Sequence, residues 1–223
     1  LGREKFDLVL VSSNLADMPL TEFGRTVKAA HPDLPVVMLV FALGDSPDAW
    51  HNCICPGIDY VFCWQGNAKV LFSIIKLVED SLNVERDTRI VRIGVLLAVE
   101  DSIKQYSFFL PHLYTLLMKQ AFALVPYGVD ENERQLRTRT RPKLLLARNF
   151  DEAAQVVERY GAFLHGVISD LEIGAGERAG PRAALTFLGN LQNNMPGVPL
   201  LLMSADDAAP AAARELGIRF VSK

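Results

Sequence analysis

The sequence predicts an α/β fold in which parallel strands alternate with helices. Three observations predict it. Short apolar runs of strand length recur between segments of helical periodicity, at 6–12, 35–41, 59–64, 91–99, 143–147, 164–169, 198–203 and 218–222. Several of these runs (PVVMLVF, VLLAV, PLLLM) are apolar at successive positions, the pattern of strands covered on both faces. In the second half, polar residues stand where the runs end: Glu100-Asp101, Asp170, Ser204 and Lys223. In an open parallel sheet those ends form one edge, and that edge is where ligands bind.

The elements follow in order. After the first run a helix is expected at 20–31, stopped by Pro32. After the second comes an irregular or short helical piece at 46–55. After the third, a helix at 67–82 carries Val70, Leu71, Ile74, Ile75 and Val78 at helical spacing. The polar stretch 83–90 (NVERDTRI) predicts a linker. Following the strand at 91–99, Ser102 is a candidate N-cap for a helix to about 124, with Pro111 predicting a kink or a fresh first turn inside it. A charged segment, 130–141, predicts a short helix with a solvated face. Helices at 151–161, 181–195 and 206–216 separate the remaining strands, and the Gly-rich loop 174–180 contains no nucleotide-binding pattern.

At 223 residues, half of them apolar and 22% charged, the chain is long enough for one large domain or two small ones with real cores. A net charge of −3 gives no general attraction to nucleic acid or to an anionic membrane. No run reaches membrane-spanning length, no signal peptide opens the chain, and a cytoplasmic protein is expected.

The order of elements repeats. FDLVLVSSN, PVVMLVF and GIDYVFCW parallel LHGVISDLE, VPLLLMS and LGIRFVSK. Two domains are therefore expected, at 1–84 and 90–223, the first a shortened copy of the second. The two leading strands of the second unit have no counterpart in the first. An uncovered sheet edge there would invite aggregation, so further residues are expected before Leu1, and a closing helix after Lys223.

The succession of an apolar strand with Glu100-Asp101, a strand with Asp170, a strand with Ser204 and a strand with Lys223 resembles the receiver domains of bacterial two-component response regulators. The stretch from Val61 to Gln120 also looks like the receiver-type region that precedes the catalytic module of phosphoenolpyruvate-synthase-like proteins, although none of that module's residues occur here. The resemblance implies a flavodoxin-like (CheY-like), doubly wound, five-stranded parallel sheet of order 2-1-3-4-5, in tandem with a truncated degenerate copy. It implies Asp170 as phosphoacceptor and Mg2+ as cofactor, held by Glu100, Asp101, Asp170 and a backbone carbonyl at Glu172. Lys223 would pair with a phosphoryl oxygen, Ser204 would hydrogen-bond another, and Phe220 falls at an aromatic switch position. The implied partners are a histidine kinase or a small acyl-phosphate donor and an attached C-terminal output module, with a homodimer left open. No stand-alone enzyme activity is implied. The alternative is an interaction module of a phosphoenolpyruvate-synthase-like protein that never takes phosphate.

Each position also has a plainer explanation. Asp101 can favour a helix N-terminus through its charge, and Ser204 before Asp206-Asp207 can be a cap. The loop LEIGAGERAGP after Asp170 is longer and richer in glycine than the short Met-Pro-type turn of most receivers. In the first unit the corresponding positions hold Ser12, Val40 and Trp64, none able to accept, bond or neutralise a phosphoryl group, and nearby Asp17 reads as solvated. His51, Cys53, Cys55 and Cys63 offer zinc-type donors without standard spacing, and buried small apolar thiols fit as well. Arg134, Arg137, Arg139, Arg141 and Lys143 read as a solvated helix face, and Tyr106, Phe108, Phe109, Leu113, Leu116 and Leu117 as core.

Overall fold

A computed structural model describes residues 5–15, 17–41, 55–124, 141–174 and 179–223. The chain forms two compact units, Leu1–Val78 with Ile103–Tyr114, and Glu79–Ser102 with Thr115–Lys223.

The first unit holds a three-stranded parallel sheet ordered β1 (Val9–Ser12), β2 (Val36–Phe41), β3 (Tyr60–Trp64). Strand β2 is central and apolar throughout, and five of its six residues are buried. Helix α1 (Leu20–Ala30) starts after Pro19, and its Gly24 meets the turn at Pro56 and Gly57. A Cβ on Gly24 would lie 2.7 Å from the Pro56 carbonyl oxygen. One on Gly57, whose φ is +88°, would lie 2.4 Å from the Gly24 carbonyl carbon. Both positions require glycine for this approach. The outer edge of β3 is covered: Tyr106 Oη donates to the Val61 carbonyl and the Cys63 amide donates to Ser107 Oγ at 2.9 Å. Polar side chains on a helix here do what a further strand would otherwise do.

The second unit holds a five-stranded, all-parallel sheet. Its strands are β4 (Val95–Val99), β5 (Lys143–Ala147), β6 (Leu164–Asp170), β7 (Leu200–Ser204) and β8 (Arg219–Ser222). They lie in the order β5-β4-β6-β7-β8, which is 2-1-3-4-5 counted within this sheet. Strand order reverses direction at β4, and with right-handed crossovers that reversal sends connections to opposite faces. Helix α4 (Phe150–Tyr160) packs on β4 and β5, and α6 (Ala209–Glu215) on β7 and β8. Helix α5 (Pro181–Asn194) buries Ala184, Leu188 and Leu191 in the same core as Leu97, Val167 and Leu202. Asn149 caps α4, its side-chain oxygen accepting from the Glu152 amide at 2.8 Å.

The two sheets share a ladder register. Val9 pairs with Val36 as Val167 pairs with Leu200, and Ser12 with Leu39 as Asp170 with Met203. Val37 pairs with Tyr60 as Leu201 pairs with Arg219. Stepping along these pairs sets Ser12, Val40 and Trp64 against Asp170, Ser204 and Lys223, the equivalence read from the sequence.

Several sequence expectations are corrected. Residues 83–90 are not a linker: α2 runs without a break from Lys69 to Val91, and the units divide inside it. The strand expected at 91–99 accordingly begins only at Val95. Pro111 starts no new helix, because α3 is assigned as one helix from Ile103 to Leu124. Arg141 and Lys143 are buried, not solvated. Arg141 makes a two-pronged ion pair with Asp80, 2.7 Å at each nitrogen, and Lys143 Nζ lies 2.9 Å from Asp87 Oδ2. Asp80 also accepts the Leu144 amide at 3.0 Å. Polar residues on α2 thus bind the end of β5 rather than water, which is why a polar stretch forms helix here. Tyr106 and Leu117 are core as expected, whereas Phe108 and Leu116 are 60% and 57% exposed, since one face of α3 turns outward. The piece at 46–55 and the helix at 130–141 fall outside the described residues except for Cys55 and Arg141, and Arg134, Arg137 and Arg139 lie outside them too.

Candidate functional site

The polar residues at the strand ends of the second sheet meet at its carboxyl edge, on the strands where connections switch direction. Strands β4 and β6 are hydrogen-bonded neighbours with Val99 opposite Ser169, so the next residues, Glu100 and Asp170, are brought side by side. One carboxylate oxygen each from Glu100, Asp101 and Asp170 lies within 4.8 Å of the others. Asp170 is 5% exposed and Glu100 fully buried.

Lys223 reaches across from the end of β8. Its Nζ stands 2.7 Å from Glu100 Oε2 and 2.8 Å from Asp170 Oδ2. The Lys223 amide donates to the Ser204 carbonyl at 3.1 Å, which fixes the stem at the strand end. Burial pushes the Glu100 carboxyl up to about 7, and the Asp170 charge beside it adds to the rise, against the pull of Lys223. Burial pulls the Lys223 ammonium down, but its hydrogen bonds to Asp170 and Glu100 outweigh that and raise it.

The remaining groups hold the edge in shape. Glu100 Oε1 accepts the Ser102 amide at 3.1 Å. Asp101 Oδ2 accepts the Gly174 amide at 2.7 Å, tying the loop after β6 to the loop after β4. This bond was not anticipated from sequence; the only signal was the glycine in the loop that departs from the short turn. Ser204, 1% exposed, accepts the Asp206 amide on Oγ at 2.9 Å, so it does cap the following turn. Its hydroxyl proton is not used in that bond. Glu172 sits just after buried Leu171 with its side chain exposed, and Phe220 packs half-buried against the core of the same unit.

In the first unit, Ser12 ends β1 and its Oγ accepts the Asn14 amide at 3.2 Å; Trp64 ends β3 with its ring 6.3 Å from Phe41. Cys63 is buried and Cys55 half-buried, and burial raises both thiols above their ordinary range. His51 and Cys53 lie outside the described residues, as do 175–178 of the Gly-rich loop.

Among the described residues, Glu100, Asp101 and Asp170 gather their carboxylates here, and Lys223 pairs with two of them, Glu100 and Asp170. Oxygen donors of that number and charge fit a hard divalent cation such as Mg2+. Glu100, Asp101 and Asp170 would hold it.

No family model matches the chain, and no curated protein matches it. Among solved structures it is similar to response-regulator receiver domains. The isolated REC domain of RcsB from Salmonella enterica serovar Typhimurium, solved with a phosphomimetic BeF3-, is 10% identical over 59% of this chain and 78% of that one, at a TM-score of 0.33. Vibrio cholerae chemotaxis protein CheY4 is 15% identical over 59% and 87%, also at 0.33. A two-component system response regulator/GGDEF domain protein is 18% identical over 98% and 74%, at 0.36. Among the described residues no helix is long and apolar enough to cross a membrane.

Proposed function

We propose that the second unit is a receiver module that accepts a phosphoryl group on Asp170, with Mg2+ bound by Glu100, Asp101 and Asp170. The observation that carries this reading is Lys223 Nζ within 2.8 Å of Asp170, beside a three-carboxylate cluster at a sheet's ligand-binding edge. Bound Mg2+ would offset the charge of the carboxylates and of an incoming phosphoryl group. A free Asp170 oxygen attacks phosphorus as the donor's bond to phosphorus breaks. The donor leaves as a carboxylate from an acyl phosphate, or as an imidazole from a kinase phosphohistidine. Lys223 pairs with one phosphoryl oxygen, and the Ser204 hydroxyl donates to another while still capping Asp206. Phe220, on the strand that carries Lys223, would report the change to an output module or partner. The first unit, with Ser12, Val40 and Trp64 at the matching positions, is a docking copy without this chemistry. No steady turnover of substrate is part of this reading.

One observation favours a second reading, an interaction module that stays unphosphorylated: Lys223 pairs with both Glu100 and Asp170, a contact that can be purely structural. Incubation with acetyl phosphate and Mg2+ followed by intact mass separates the two. The receiver reading expects one added phosphoryl group in the wild type and none in Asp170→Asn. No gain in the wild type, with no amide shifts around Asp170 and Ser204 on adding beryllofluoride and Mg2+, leaves the interaction module.

A further inference from the structure

We draw no further inference here: the strongest candidate, the outer edge of β1 in the three-stranded sheet with Phe6 and Leu10 exposed beside it, is an unpartnered apolar face, and nothing in the structure shows what covers it.

Discussion

Lys223 Nζ sits between Glu100 and Asp170, 2.7 Å from one carboxylate and 2.8 Å from the other. The last residue of the chain as described and the first polar residue after β4 are 123 positions apart in sequence, yet in direct contact. If Lys223 serves the transferring phosphoryl group, Lys223→Met should slow phosphoryl uptake from acetyl phosphate on the order of 10²-fold, as loss of one charge-stabilising donor does elsewhere. A time course by intact mass reads this directly. An unchanged rate would remove Lys223 from the chemistry.

The raised Glu100 carboxyl makes the metal-free fold sensitive to pH. With a folded pKa of about 7 against an ordinary 4.5, Glu100 binds more protons folded than unfolded between those values. Stability from this group is therefore lost as pH rises from about 4.5 to 7, by about 3 kcal/mol once ionisation is complete. Glu100→Gln in EDTA should be more stable than wild type at pH 8, by about 1 kcal/mol or more after Lys223 loses one partner. The gain should vanish near pH 4.5. Urea melts at the two pH values check it, and a constant difference at both would refute the assignment.

Magnesium should reverse that trend. A cation among Glu100, Asp101 and Asp170 relieves the repulsion, so at pH 8 Mg2+ should raise the melting temperature of the wild type. Asp101→Asn should weaken the effect. This variant should also loosen Gly174, whose amide Asp101 accepts, visible as faster amide exchange there.

The Asp80–Arg141 pair gives a prediction independent of phosphate. Both side chains are buried, at 0% and 4% exposure, and Asp80 also takes the Leu144 amide. Asp80→Ala should cost about 3–5 kcal/mol by removing the carboxylate that faces the buried Arg141 guanidinium and accepts the Leu144 amide. The double variant Asp80→Leu with Arg141→Met should recover most of that loss. A loss under about 1 kcal/mol in the single variant would mean the pair is solvated in solution.

In the first unit, Gly57→Ala should destabilise by at least about 2 kcal/mol, because the positive φ and the contact with Gly24 backbone both resist a Cβ. Chemical denaturation followed by the fluorescence of Trp50 and Trp64 reads it. A neutral result would show that the α1 approach relaxes freely.

Local patterns in the sequence determined a good deal. Apolar runs of five to nine residues marked the strands of the second sheet to within a few positions, because a strand covered on both faces is largely apolar along its length. The polar residues at the run ends marked the site edge for the same reason: the side chains beyond the last covered residue face water or ligand. The like order of apolar runs in the two halves was legible in the sequence, and β1–β2 and β6–β7 pair in the corresponding register.

Tertiary structure alone decided the rest. NVERDTRI has no apolar periodicity strong enough to announce a helix, and it folds as one because Asp87, like Asp80 earlier in the same helix, finds buried cations more than fifty residues later. The outward turn of Phe108 and Leu116 likewise depends on which face of α3 meets a sheet. The Lys223 bridge depends on the order β4-β6-β7-β8, which brings the ends of β4, β6 and β8 to one edge. Periodicity reports the environment of a residue along its own element, whereas ion pairs and edge contacts depend on distances that only the packed chain defines.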